Sequence, residues 1–345
     1  MPTEMMPDIT VYGKDSEMQE YNLKHAEFWI KFIKDGKDPF HGGDIVNLDD
    51  VSGTEEGGRP TEAEMHIGQM IAYATAHLGG GFFTHAFSVL IFGKKARLFR
   101  WDRAGAIVSE AFDYVNDSHL IEFFRRYDNL SPEERGQDTS VKAPSESDRA
   151  DAAKMLEPER LQGESDEEFS RRREYLDPAA FVEYTVYDSR GGAEGTSCRF
   201  VGPPPLKLPR SLRGRASRGA PVWDVEHKRI CFIKDTWRIN SPDQLVEGKV
   251  YEILHSKDVP NIARTVVHGD VAPRERTAVN YHTTYTDKLC GSQEPWCVLS
   301  QGIQGYIHYR IVLDTVGKDY TMFGCGRELL EATLDAMKGI RSPYG

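Results

Sequence analysis

The chain has 345 residues, 39 % hydrophobic and 28 % charged, with 43 Lys+Arg against 54 Asp+Glu and a net charge of −11. That length suffices for two domains with real cores, and the acidic balance argues against a nucleic-acid partner or an anionic membrane surface. Five cysteines, Cys198, Cys231, Cys290, Cys297 and Cys325, are odd in number and lack C-x-x-C spacing, which excludes a disulfide framework and a zinc site and reads as reduced thiols in an intracellular protein. The start, MPTEMMPDIT, has no basic n-region and no apolar run, so neither secretion nor membrane spanning is expected.

Residues 1–130 alternate helix and strand signals and read as an N-terminal α/β domain. In AEMHIGQMIAYATAHL, the residues Ile67, Met70, Ile71, Ala74 and Leu78 fall on one helical stripe. AFSVLIF, a Gly93-Lys94 turn, ARLFRWD, an Arg103-Ala104-Gly105 turn and AIVSEAF follow, an antiparallel meander expected to pack on that helix. SHLIEFFRRYDNL reads as a helix closed by Ser131-Pro132. His66, Gln69, Tyr73 and His77 share one side of the first helix and read as a polar face rather than a metal site.

Residues 131–180 are polar and charge-dense with few aromatics, so they read as an acidic linker carrying short solvated helices. From 181 to 345 strand signals return. FVEYTVYD, a glycine-rich tip, a β-rich block to about 239, a helix near 242–257 and a variable stretch at about 268–304 come in turn. YIHYRIVLDTVG reads as a buried strand, and GRELLEATLDAMKGI as an amphipathic helix with Leu330, Leu334 and Met337 at i, i+4 and i+7. The fold class expected from this order is α+β.

Within that block lies RICFIKDTWRI, a strand-like run carrying Lys234. An ammonium on an inner strand costs several kcal/mol to desolvate unless an anion meets it. Upstream, Gly214 and Gly219 bracket a turn between two strand-like runs, and Arg213, Arg215 and Arg218 interleave with them. Glycines allow backbone N–H groups to approach phosphate oxygens, and a lysine on the following strand neutralises them. Such a lysine needs a carboxylate to hold it. Glu247 precedes Val250 and Tyr251 by one turn on the next helix, whose inward stripe is expected to be Val250, Tyr251 and Leu254.

The runs FSVLIFGKKARLFRWDRAGAIV, LPRSLRGRASRGAPVWDVE, FIKDTWRI, VPNI and HYRIVLDTVG together resemble the fungal-type protein kinases over most of the chain. The resemblance implies an N-terminal domain that is not a kinase lobe, followed by a kinase-like small lobe. It implies that GRASRG is the glycine-rich loop, that Lys234 and Glu247 are the paired catalytic residues, and that Gly214, Gly219 and Lys234 bind the nucleotide. Leu313 then matches the gatekeeper, with Asp314 and Val316 supplying backbone contacts to adenine. The cofactor implied is ATP, expected to bind weakly or not at all in view of the departures below, and no metal site is expected.

Three departures qualify the resemblance. Ala216 stands where a central glycine is usual, and Phe232 stands two residues before Lys234 where a small alanine is usual. No H-R-D-x-x-x-x-N, D-F-G or A-P-E run is present, and HGD at 268–270 precedes the hinge strand. The reading is therefore a small lobe without the large lobe, truncated before the catalytic loop and inactive in phosphoryl transfer. The alternative is a non-catalytic module that binds a protein partner through an exposed terminal helix, without nucleic acid or membrane. A third reading rests on Asp8, Glu27 and Lys31 with Gln69 and Tyr73, which resemble a PD-(D/E)xK nuclease core. Glu27 and Lys31 lack E-x-K spacing.

Overall fold

The computed structural model describes residues 6–13, 22–34, 36–40, 60–160, 163–190, 196–206, 209–273, 281–290, 303–317 and 323–341. In chain order they form β1 (Ile9–Tyr12), β2 (Ala26–Ile33), α1 (Glu62–Gly80), β3 (Ala86–Phe92), β4 (Lys95–Asp102), β5 (Gly105–Val108), β6 (Phe112–Asp113) and α2 (His119–Asp128). They continue through β7 (Val141–Lys142), α3 (Glu146–Met155), α4 (Asp166–Tyr175), β8 (Val182–Tyr187), β9 (Ser197–Gly202), β10 (Arg218–Asp224), β11 (Arg229–Ile239) and α5 (Glu247–Ser256). β12 (Thr265–Asp270), α6 (Thr286–Cys290), β13 (Tyr306–Leu313) and α7 (Gly326–Arg341) complete the described elements. The described residues are mixed α+β with two sheets. It divides into two compact units, the first made of residues 1–139, 208–216 and 282–307, the second of 140–207, 217–281 and 308–345.

The first unit is built on a sheet of order β1-β2-β3-β4-β5, with β6 beside β4. β2 and β3 run parallel, which requires a crossover, and α1 lies between them in sequence to supply it. Thr61 starts α1 through a capping box: Glu64 N–H donates to Thr61 Oγ1 and Thr61 N–H to Glu64 Oε2. Met70, Ala74 and Leu78 of α1 pack with Trp29, Leu90, Phe99 and Trp101 on one side of the sheet. Val89, Ile91, Phe28 and Tyr127 of α2 form a second cluster, with Phe28 and Tyr127 edge-on at 5.1 Å. Alternate β3 residues thus feed two cores, which is why AFSVLIF is apolar on both faces instead of alternating, apart from Ser88, whose hydroxyl accepts from Trp101 Nε1 at 2.8 Å.

Two residues of RWDRAG stitch the returning segments into this unit. Asp102, fully buried, accepts from Arg100 Nη1 at 2.9 Å, Ala104 N at 2.9 Å, Tyr285 N at 2.8 Å and Thr286 N at 3.0 Å. A carboxylate from a distant strand thereby takes up free N–H groups at the start of α6. Arg103, 2 % exposed, donates to the carbonyls of Leu78, Leu212 and Ser211.

The second unit carries the order β12-β13-β11-β10-β9-β8-β7, with β10 antiparallel to both β9 and β11. The expected division at 130 and 180 does not fall where the units divide, and the stretch 131–180 is not simply a linker. Ala152 of α3 and the following Leu156 are buried with Phe181, Val201, Trp223 and Val225. The polar composition hid this because two small or apolar positions suffice to seat a short helix. α4 does match the solvated-helix reading, with no buried residue and its own capping box at Ser165 and Glu168. No helix among the described residues is long and apolar enough to cross a membrane.

The supposed polar face of α1 is corrected by the structure. Tyr73 is 4 % exposed and donates through its hydroxyl to the Met6 carbonyl, while His77 is fully buried with Nε2 2.8 Å from the Ala26 carbonyl oxygen. Single hydrogen bonds to backbone carbonyls make these polar side chains compatible with a core. Burial, opposed only by the Ala26 bond, lowers the His77 pKa from 6.5 to about 4. Unfolding therefore takes up a proton between those values, so the stability is intact above about pH 6.5 and is lost as pH falls toward 4, by roughly 3 kcal/mol. His77→Gln, which can still donate to Ala26, should flatten that fall. Urea unfolding at about pH 7 and about pH 4.5 checks it; an equal acid loss in both proteins would contradict a neutral buried His77.

Candidate functional site

Lys234 lies in β11 and Glu247 is the first residue of α5. The structure brings them together: Lys234 Nζ is 2.7 Å from Glu247 Oε1 and 2.9 Å from Oε2. Their side chains are 30 % and 23 % exposed. Both carboxylate oxygens reach the one ammonium, and the pair keeps an opening to solvent. The desolvation cost is thus smaller than for a fully buried pair, and one face of the ammonium remains available to another anion.

The placement of α5 does not come from the expected apolar stripe. Val250 is 38 % exposed, and Gly248 is the one buried residue of the helix. Gly248 N–H donates to Tyr309 Oη at 2.9 Å, and a methyl group on Gly248 would overlap the His268 ring. His268 in turn contacts Glu252 Oε1 through Nε2 at 3.2 Å and Ser189 Oγ through Nδ1 at 3.1 Å. A glycine seat and polar tethers hold the helix. Gly248, His268 and Tyr309 were missed from sequence; the only signal was a glycine in a first helical turn, where close backbone approach is one of its uses.

The opposite face of β11 is fixed by charge. Asp235, 2 % exposed, meets Arg218 Nη2 at 3.0 Å, Arg310 Nε at 3.3 Å and His308 Nε2. The His308 ring stacks on Trp237 at 4.8 Å. Burial alone would raise the Asp235 pKa, but His308, Arg310 and Arg218 together hold it well below the usual carboxylate range. Since Arg218 pairs with Asp235 and Gly219 with Lys234 across the ladder, this cluster sets the register that aims Lys234 to the other side.

Gly214 and Gly219 do not bracket one turn. Gly219 sits inside β10, and a methyl there would lie 2.5 Å from Phe232 Cζ and 3.0 Å from the Ile233 carbonyl oxygen. Its missing side chain makes room for the Phe232 ring. Gly214 is in the turn, at φ +104° with open space around its Cα. Ala216, at φ +42°, holds the left-handed conformation that glycine adopts freely, at roughly 1–2 kcal/mol. Beyond β13, Asp314 N–H donates to the Arg264 carbonyl at 3.0 Å and Arg264 N–H to Asp314 Oδ1 at 2.9 Å. The Asp314 N–H and Oδ1 are thereby both committed to Arg264. Val316 is 43 % exposed.

In the first unit, the structure brings together Asp8 and Lys31 of the nuclease reading but not Glu27. Lys31 Nζ pairs with Asp8 Oδ2 at 3.2 Å. Glu27 Oε2 instead accepts from Tyr127 Oη at 3.0 Å and Arg135 Nη1 at 3.4 Å. HGD at 268–270 also has structural partners, its Asp270 forming a two-pronged pair with Arg238.

A strand lysine gripped by the carboxylate of the next helix is the pairing on which protein kinases depend to hold nucleotide phosphates. The family model described as fungal protein kinase matches residues 81–344. The chain belongs to that family. No curated relative and no solved structure matches it.

The seat under α5 can be tested directly. Gly248→Ala should lower stability by about 1–3 kcal/mol through overpacking against His268, and should expose Lys234 to amine-directed modification by displacing Glu247. Denaturant unfolding and lysine labelling measure the two effects. A variant as stable as the parent, with Lys234 equally protected, would show that the helix has room to shift.

Proposed function

We propose that the second unit is the nucleotide-holding part of a fungal protein kinase and takes ATP weakly, with Lys234 on the phosphates and Glu247 orienting it. The observation that carries this reading is the two-pronged, half-open Lys234–Glu247 pair. The residues fit ATP in part. Lys234 offers the charge, and the Asp314 carbonyl and the Val316 backbone offer hinge contacts. The Phe232 ring, packed over Gly219, takes space that an adenine would need. These 345 residues contain no H-R-D-x-x-x-x-N and no D-F-G, so they supply neither the base nor the metal ligands that position phosphoryl transfer. The reading is a nucleotide-holding kinase module, and no phosphoryl-transfer step is assigned to these residues.

Calorimetric titration with Mg-ATP tests it. The parent chain should bind weakly, Lys234→Ala should abolish binding, and Phe232→Ala should tighten it by roughly 1–3 kcal/mol as crowding is removed. Binding that survives Lys234→Ala would refute the assigned role.

A second reading, a protein-binding module, is supported by α7. Leu330, Leu334 and Met337 are 70 %, 54 % and 45 % exposed, a stripe of apolar side chains of the kind that marks an interaction surface. Sedimentation should show self-association that Leu330→Glu with Leu334→Glu removes. A monomer at all concentrations, with no dye-detectable apolar surface, speaks against it.

A further inference from the structure

The His268 ring that seats α5 also joins two side chains from different segments of the second unit. Its Nε2 lies 3.2 Å from Glu252 Oε1, and its Nδ1 lies 3.1 Å from Ser189 Oγ. The ring is buried, Glu252 is half-buried and Ser189 is exposed. Two glycines make this meeting possible. A methyl group on Gly248 would overlap the ring, and one on Gly269 would overlap the Tyr187 carbonyl. The chain from Tyr187 to Ser189 therefore passes close over β12. Arg190 fastens it there, with Nη2 donating to the Val266 carbonyl at 2.9 Å and to Asp188 Oδ2 at 2.9 Å.

Charge decides which ring nitrogen carries the hydrogen. Hydrogen bonds from Lys249 and then His268 hold the Glu252 carboxyl below its usual range, so it is ionised at neutral pH and only accepts. In the neutral ring Nε2 is then the donor, and Nδ1 presents a lone pair. The Ser189 hydroxyl is left to donate along its contact with Nδ1. Hydroxyl, imidazole and carboxylate thus stand in the order of nucleophile, base and orienting group.

We infer that Ser189 is a nucleophilic serine that takes an acyl group from a carboxylic ester, with His268 as its base and Glu252 as a positioning residue. Ser189 Oγ bonds to the ester carbonyl carbon while its proton passes to His268 Nδ1. The bond to the alcohol oxygen breaks, and the departing alkoxide takes that proton. Water then attacks the acyl-serine, giving a proton to Nδ1, and Ser189 Oγ recovers that proton as the acid leaves. The site uses neither Lys234 nor Glu247 and does not rest on the nucleotide reading.

The test uses the full chain without nucleotide. A fluorophosphonate probe, mapped by mass spectrometry, should attach to Ser189, and p-nitrophenyl acetate should release p-nitrophenol in a burst. Ser189→Ala, an exposed change, should abolish both. Glu252→Gln, whose amide can donate as well as accept, should slow labelling by about a hundredfold. Nitrogen NMR should place the His268 hydrogen on Nε2 in the parent and divide it between both nitrogens in that variant, which a merely structural role for Glu252 would not require. A parent chain that takes no label at Ser189 overturns the inference. So does a burst that persists in Ser189→Ala, or labelling at the parental rate in Glu252→Gln. Should Glu252→Gln fail to fold, the tautomer of the parent decides, and a hydrogen on Nδ1 of the neutral ring counts against a base at that atom.

Discussion

A lysine can stand on an inner strand only if an anion meets it, and the second unit is organised around that requirement. Lys234 has its carboxylate in Glu247, but Glu247 is useful only while α5 stays close to the sheet. The helix is amphipathic too weakly to be driven there by apolar burial, since most of its side chains are half exposed. Proximity comes instead from a residue with no side chain. Gly248 lets the helix backbone settle on the His268 ring and reach the Tyr309 hydroxyl. The ion pair is thus a consequence of a close backbone approach, and a single methyl group stands between the two arrangements.

Charge on the other face of the same strand has a different task. Asp235 is enclosed with Arg218, His308 and Arg310, and so dense a cluster tolerates no slip of one residue. A slip would carry Asp235 to the Lys234 side and leave the arginines without an anion, a loss of several kcal/mol. One strand therefore carries two ionic systems on alternating faces. The enclosed one secures register, and the half-open one keeps an ammonium accessible.

The first unit shows how a short turn can hold a discontinuous fold together. Asp102 and Arg103 are neighbours in sequence, yet the first gathers backbone amides from 285–286 and the second backbone carbonyls from 211–212. An anion suited to N–H groups and a cation suited to C=O groups bind backbone irrespective of which side chains the segments carry.

What the sequence by itself determined was local. The stripe of Met70, Ala74 and Leu78, the meander through Phe92 and Trp101, and the run leading to Lys234 follow from periodicity and turn residues, and the structure has them as elements of those kinds. Lys234 and Glu247 were legible because strand, turn, strand and helix come in a fixed order along the chain. Tertiary structure decided everything that depends on distance between remote residues. His77 looked like a surface histidine until a carbonyl of β2 was found beside it, and α3 looked solvated until Trp223 and Phe181 closed over Ala152. Gly219 read as a turn glycine until the Phe232 ring was seen against it. In each case the deciding partner is far along the chain, or set by strand pairing, and no spacing within one segment encodes it.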